Sequence, residues 1–206
     1  MTSRTMYRIR SLAAAAATMA ALAAPAAAQA GPLVADAPNC AAQTLSQPFL
    51  PWADVAQYTL APGGSFEPGS KGWSLDGASV AGGNEPYNVT SEGDSRSLNI
   101  PGGASATSRS ICVGLAHPDL RFFAKGSNAT AVLNVEVLFE DSLGNVLSAP
   151  VGAVTGSSGW GLSAPMPVVA NLLPLLPGSY TPVAFRFSAS GGSFRIDDVY
   201  VDPIYR

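Results

Sequence analysis

The sequence predicts an all-β protein, an antiparallel β-sandwich with an irregular N-terminal arm and one short helical turn. Three observations lead there. Past residue 30 no sustained helical period appears, while several short segments alternate apolar and polar residues as a half-buried strand does. Glycine (21) and proline (17) recur often enough to break the chain into short strands and tight turns rather than long helices. Each strand pattern offers one apolar face, which two sheets packed face to face would bury together.

The first thirty residues stand apart. Arg4, Arg8 and Arg10 precede an alanine- and leucine-rich run from Leu12 that meets Pro25 and ends at Ala28-Gln29-Ala30. A basic start, an apolar middle and an A-x-A site make residues 1–30 a secretory signal peptide cut after Ala30. The run is too short and broken to be a membrane anchor, and no later stretch is long and apolar enough to span a bilayer. The expected location is secreted or at the cell surface. Losing those three arginines and no acid takes the formal charge from −3 to −6. That sparse, acidic balance argues against nucleic acid as a partner.

Residues 31–62 read as an arm and a first strand, irregular up to residue 51. Its two ends of interest are Cys40 and, far along the chain, Cys112, the two cysteines of the sequence. In an oxidising compartment they are expected to pair. Within 109–115, Ile111, Val113 and Leu115 share one face and Cys112 the other, so the bridge would pin the arm across the outside of a sheet.

Residues 63–206 form the main domain. Strands are expected at 57–60, 64–67, 97–100, 107–113, 120–124 and 183–189. The clearest runs over 131–140, where Ala131, Leu133, Val135, Val137 and Phe139 make an unbroken apolar face. Asp141-Ser142-Leu143-Gly144-Asn145 then turns the chain back through Val146-Leu147 as a hairpin. The prolines of 166–178 forbid a long helix or a central strand. A short strand at 168–170 and a helical turn capped by Asn171 are expected instead.

The closing segment, Phe194-Arg195-Ile196-Asp197-Asp198-Val199-Tyr200-Val201-Asp202, breaks its own alternation. Phe194 and Ile196 share one face, yet Val199 and Val201 belong to the opposite phase. The slip at the acid pair predicts a β-bulge. Two adjacent carboxylates in a strand call for a counterion, either a bound cation or a neutralising Arg186 or Arg195.

Chemistry of other kinds finds little footing. His117, the single histidine, sits in a loop pattern, and no nucleophile elbow, zinc spacing or phosphate loop is present. Glu136 and Glu140 share a face at period-2 spacing, as acids on the wet side of a strand do.

Taken in order, Pro62-Gly63-Gly64-Ser65-Phe66-Glu67-Pro68-Gly69-Ser70-Lys71-Gly72-Trp73, the Gly93–Leu98 run, Trp160 and Ile196-Asp197-Asp198-Val199 resemble galactose-binding-like jelly rolls. The likeness is to the carbohydrate-binding modules of bacterial glycoside hydrolases and spans roughly residues 63–202. It implies a jelly roll whose early Phe-Glu segment neighbours the late Asp-Asp strand, with a structural calcium ion between them. Glu67 and one of Asp197 and Asp198 would then supply carboxylate oxygens, which suit that hard cation. The likeness also makes Trp73 and Trp160 core residues. For a sugar it leaves Trp52, Tyr58, Tyr87, Phe123, Tyr180 and Tyr200, with Phe123, beside Arg121 on an outer face, and Tyr87 singled out unless the arm covers Phe123. The expected function is an exported, non-catalytic binding module for a glycan or cell-envelope polymer. The alternative is a structural or adhesive envelope protein using the same sandwich.

Overall fold

The structure, a computed structural model, describes residues 31–37, 40, 42–114, 118–168 and 180–203. Two antiparallel sheets face each other. The first contains β1 (Thr59–Leu60), β3 (Ser79–Gly82), β4 (Arg96–Ile100), β7 (Asp119–Gly126), β10 (Gly161–Leu162), β11 (Met166–Pro167) and β13 (Phe194–Asp202). The second contains β2 (Trp73–Asp76), β5 (Ser105–Ser108), β6 (Ile111–Gly114), β8 (Val132–Glu140), β9 (Val146–Thr155) and β12 (Tyr180–Ser190). β13 lies between β7 and β4, and β12 lies between β5 and β8, so the last two described strands sit at the sheet centres.

The inner faces bury the predicted alternation. Leu133, Val135 and Val137 of β8 meet Phe185 and Phe187 of β12 and, from the opposite sheet, Leu120 and Phe122 of β7. All of these are at most 1% exposed. Burying one such side chain contributes roughly 1.5–3 kcal/mol, so this layer carries much of the folding free energy.

β13 shows the predicted bulge. Asp197 pairs with Phe123 and Tyr200 with Arg121, leaving one extra residue on β13. Asp198 takes it up in a left-handed conformation, φ 48°. Phe194 and Ile196 before the bulge and Val199 and Val201 after it consequently all reach the same core. The turn after β1 closes on this point, since Val199 exchanges backbone hydrogen bonds with Ala61 and Gly64. A Cβ on Gly64 would stand 2.7 Å from the Val199 carbonyl, so only glycine fits there.

Several local expectations are corrected. Residues 64–67 are a succession of turns, with Phe66 at φ 58°, and not a strand. The strand expected over 107–113 is two, β5 and β6, interrupted at Arg109-Ser110 and both paired to β12. β9 extends to Thr155 although it contains Pro150, which is tolerated because β9 is an edge strand bulged against Val135 and Glu136. A two-residue strand, β11, stands at 166–167; of the strand expected at 168–170, residues 169–170 lie outside the described residues, as do the turn at Asn171 and His117. The arm is not wholly irregular. It contains a five-residue helix α1 (Pro32–Asp36) and a 3-10 turn at Leu50–Trp52. Among the described residues no helix is long and apolar enough to cross a membrane.

Candidate functional site

The arm is tied to the sandwich at successive points. Glu140 is 1% exposed, and its carboxylate accepts the backbone N–H groups of Leu33 and Val34 at the start of α1. It is therefore an anchor for the arm and not the wet-face acid expected. The Cys40–Cys112 disulfide is formed, with Cα atoms 5.5 Å apart, and Gln43 donates to the Cys112 carbonyl. Ile111 and Val113 enter the core while Cys112 faces the arm, as the alternation required. A bridge between Ser46 and Tyr58 then folds 46–58 into a loop over the outer face of the first sheet.

That loop drives Phe49 and Tyr58 into a second hydrophobic cluster with Phe123 and Tyr200. The Phe49 ring lies 5.0 Å from Tyr58, 5.5 Å from Tyr200 and 6.1 Å from Phe123. Phe123 is completely buried as a result, so it is a packing residue covered by the arm and not an open ligand platform. Trp52, Trp160 and Tyr87 ring the cluster. Trp52 meets Tyr87 edge-on at 5.1 Å, and Tyr87 remains 46% exposed. Trp160 is only partly buried on this outer cluster, which corrects its expected place in the core; Trp73 does lie in the core.

Arg121 lies beneath the loop, 8% exposed, its guanidinium 5.2 Å from the Phe49 ring centre. It donates to Asp54 at 2.5 Å and, through Nε and Nη2, to the Ser163 carbonyl at 3.2 and 2.8 Å. Asp54 also accepts from Tyr58 Oη at 2.8 Å and from the Ala56 N–H at 3.0 Å. Burial works against the Asp54 charge, but the Tyr58, Ala56 and Arg121 hydrogen bonds outweigh it and hold the carboxyl below its usual range. Burial, with Asp54 alongside, pushes the Tyr58 hydroxyl well above its own. These groups form one wall of a cleft of about 940 Å³, which Trp52, Val55, Gln57, Tyr180 and Pro165 help to line. An indole beside amide, carboxylate and guanidinium groups offers an apolar face and directional hydrogen bonds together.

The acid pair occupies a different place, under the loop between β3 and β4. Asp197 and Asp198 are each 2% exposed and Glu85 is 1% exposed. The Glu85 N–H donates to Asp197, the Glu85 carboxylate accepts the N–H groups of Tyr87 and Val89, and Thr90 Oγ1 donates to Asp198 at 2.6 Å. Burial, reinforced by the charge of Asp198, pushes Asp197 up to about 8. Burial, with Glu85 and Asp94 nearby, pushes Asp198 up to about 7 against the Thr90 hydrogen bond. Neither arginine offered as a neutraliser serves: Arg186 pairs with Glu136, and Arg195 donates to the Gly82 and Gly83 carbonyls. Among the described residues no lysine or arginine forms an ion pair with Asp197 or Asp198.

Glu67 is near the bulge in chain path but spends its carboxylate elsewhere, accepting from the backbone N–H groups of Ser95 and Arg96 at 2.6 Å each. Asp94 stands between the two groups of acids electrostatically. Burial raises its pKa, followed by the charges of Glu67 and Glu85. Its Oδ2 is buried without a hydrogen-bond partner. Among the described residues no three His, Cys, Asp or Glu side chains are arranged to hold a metal ion as they stand. Sequence reasoning missed Glu85, Asp94 and Asp54, and left Trp52 as one of several aromatics without singling it out. Glu85 stands in a Gly-Gly-Asn-Glu-Pro stretch with no periodicity to mark it.

Fold and site together define a two-sheet antiparallel β-sandwich with an aromatic-walled cleft on one outer face. No protein-family model matches the sequence, and no curated protein matches it. Solved structures do resemble it. A family 22 xylan-binding domain from Paenibacillus barcinonensis Xyn10C is 14% identical, with a TM-score of 0.49, over 69% of this chain and 92% of that one. A family 16 carbohydrate-binding module is 15% identical, with a TM-score of 0.44, over 69% and 99%. The CBM22-1 and GH10 modules of Clostridium thermocellum xylanase 10B are 15% identical, with a TM-score of 0.48, over 66% of this chain and 27% of theirs. The sandwich itself rests on its own strand pairing.

Proposed function

We propose that the protein is an exported, non-catalytic module that binds a saccharide in the cleft between the arm loop and the first sheet. The observation that carries this reading is the presence of Trp52 in the lining of a cleft of about 940 Å³ together with Asp54, Gln57 and Arg121. Pyranose rings present apolar C–H faces and equatorial hydroxyls, the chemistry that an aromatic edge with convergent polar groups recognises. The disulfide and the basic, apolar, A-x-A start of the sequence support export. A glycan-array screen of residues 31–206 tests the reading. At least one plant, bacterial or host glycan is expected to bind, and Trp52→Ala is expected to weaken that binding at least tenfold while the disulfide still forms. Silence across the array would sink it.

We also propose that a calcium ion binds at the bulge. Support comes from the chemistry of the donors: Asp197, Asp198 and Glu85 are buried carboxylates, Asp94 has an oxygen without a partner, and no cationic side chain is paired with Asp197 or Asp198 among the described residues. Asp197 and Asp198 would hold the ion, and Glu85 and Asp94, whose charges both act on Asp198, would complete the oxygen set in place of Glu67. Such an ion would neutralise the cluster and stiffen the loop that bears Tyr87. Calcium is expected to raise the melting temperature of the chelator-treated protein, and Asp197→Asn to abolish the rise. An unchanged melting temperature would remove the ion from the account.

A further inference from the structure

We infer that the cleft selects neutral, hydroxyl-rich saccharides and discriminates against those bearing uronate or sulfate groups; this rests on the saccharide reading above. Recognition of an anionic sugar requires a cation whose donors are available to it. Among the described residues lining the cleft, Arg121 is the only lysine or arginine. Each of its three nitrogens already donates a hydrogen bond within the protein. Nη1 is bonded to Asp54, Nε and Nη2 converge on the Ser163 carbonyl, and its flat face covers the Phe49 ring.

Displacing Asp54 to free that guanidinium is unfavourable. Tyr58 Oη donates to the same Asp54 oxygen as Arg121 and the Ala56 N–H to the other, and the pair is largely screened from water, with side-chain exposures of 10% and 15%. A uronate entering the cleft would meet the Asp54 carboxylate already in the position an incoming anion needs. A neutral sugar meets no such conflict. Its hydroxyls can donate to carboxylate oxygen or pair with the Gln57 amide, and its ring can lie on Trp52. The acid walls the cleft, and the arginine serves to hold the acid in place.

Direct titration of the oxidised protein against two sets of polymers tests this. Arabinoxylan, mixed-linkage β-glucan and β-1,4-galactan form the neutral set; polygalacturonate and alginate, at matched ionic strength with chelator present, form the anionic set. At least one neutral polymer is expected to bind at least tenfold more tightly than either anionic one. Gln57→Lys, which adds a free cation to an exposed position on the cleft wall, is expected to raise anionic affinity several-fold in a salt-sensitive way. Uronate binding within tenfold of the best neutral polymer, lost in Trp52→Ala, would overturn the selectivity and leave saccharide binding standing. No binding by either set would overturn the saccharide reading and the selectivity with it. The melting temperature of Trp52→Ala distinguishes a lost contact from a lost fold, and Gln57→Lys provides the second variant.

Discussion

Asp198 shows how much one backbone conformation can arrange. A left-handed residue in the middle of a central strand is costly for any side chain other than glycine, asparagine or aspartate. Here it sets the side chain toward Thr90 and returns Val199 to the core. The burial that accompanies it has a consequence for pH. Asp197 and Asp198 have folded-state pKa values near 8 and 7, above the ordinary 3.8. Between pH 4 and 8 the folded state therefore binds more protons than the unfolded state, and stability falls as pH rises through that window. Asp54 and Asp36 shift the other way, and their contribution is lost as pH falls below the ordinary carboxylate range. In chelator, the protein is expected to be most stable near pH 4–5 and to lose on the order of a few kcal/mol by pH 8. Urea melts across that range check it; Asp197→Asn should flatten the slope. A rising or flat profile in the unmodified protein would contradict the burial of the pair.

The arm acts as an element although it has little regular structure. α1 is capped from β8 by Glu140, the disulfide joins the arm to β6, and Phe49 fills the outer face of β7 and β13. Phe49→Ala empties a fully buried aromatic site and is expected to cost about 3–5 kcal/mol. Replacing both Cys40 and Cys112 by serine removes a loop closure with a sequence separation of 72 and is expected to cost about 4 kcal/mol. Both changes loosen the same strap. Combined, they should cost less than their sum, because once the arm has detached there is nothing left for the second change to release. Full additivity in denaturant unfolding would mean that the disulfide and Phe49 hold the arm independently.

At the scale of the molecule, the sandwich was legible because its signals are local and periodic. Residues 131–139 announce their buried face, the five residues after Glu140 announce the turn, and the phase slip at Asp197-Asp198 announces the bulge. The two cysteines announce the bridge. What escaped reading depends on placement across the fold. Nothing in the order Phe49-Leu50-Pro51-Trp52 says that Phe49 will be buried on the outside of a sheet while Trp52 walls a cleft. Arg121 and Phe123 alternate on β7 as a wet strand face would, and only the returning arm makes that face a second core. Likewise Glu67 and Asp197 can be associated by motif order, but hydrogen bonds to Ser95 and Arg96 decide where the Glu67 carboxylate goes.

The Cys40–Cys112 bridge also sets how the chain carries a mechanical load. Tension applied from the N-terminal side of Cys40 passes through sulfur into β6 and from there into β12, bypassing the 72-residue separation between the cysteines. About 250 Å of extensible contour is thereby withheld. The loop that walls the cleft lies inside that protected length, so pulling on an oxidised chain does not draw out the segment that bears Trp52 and Asp54.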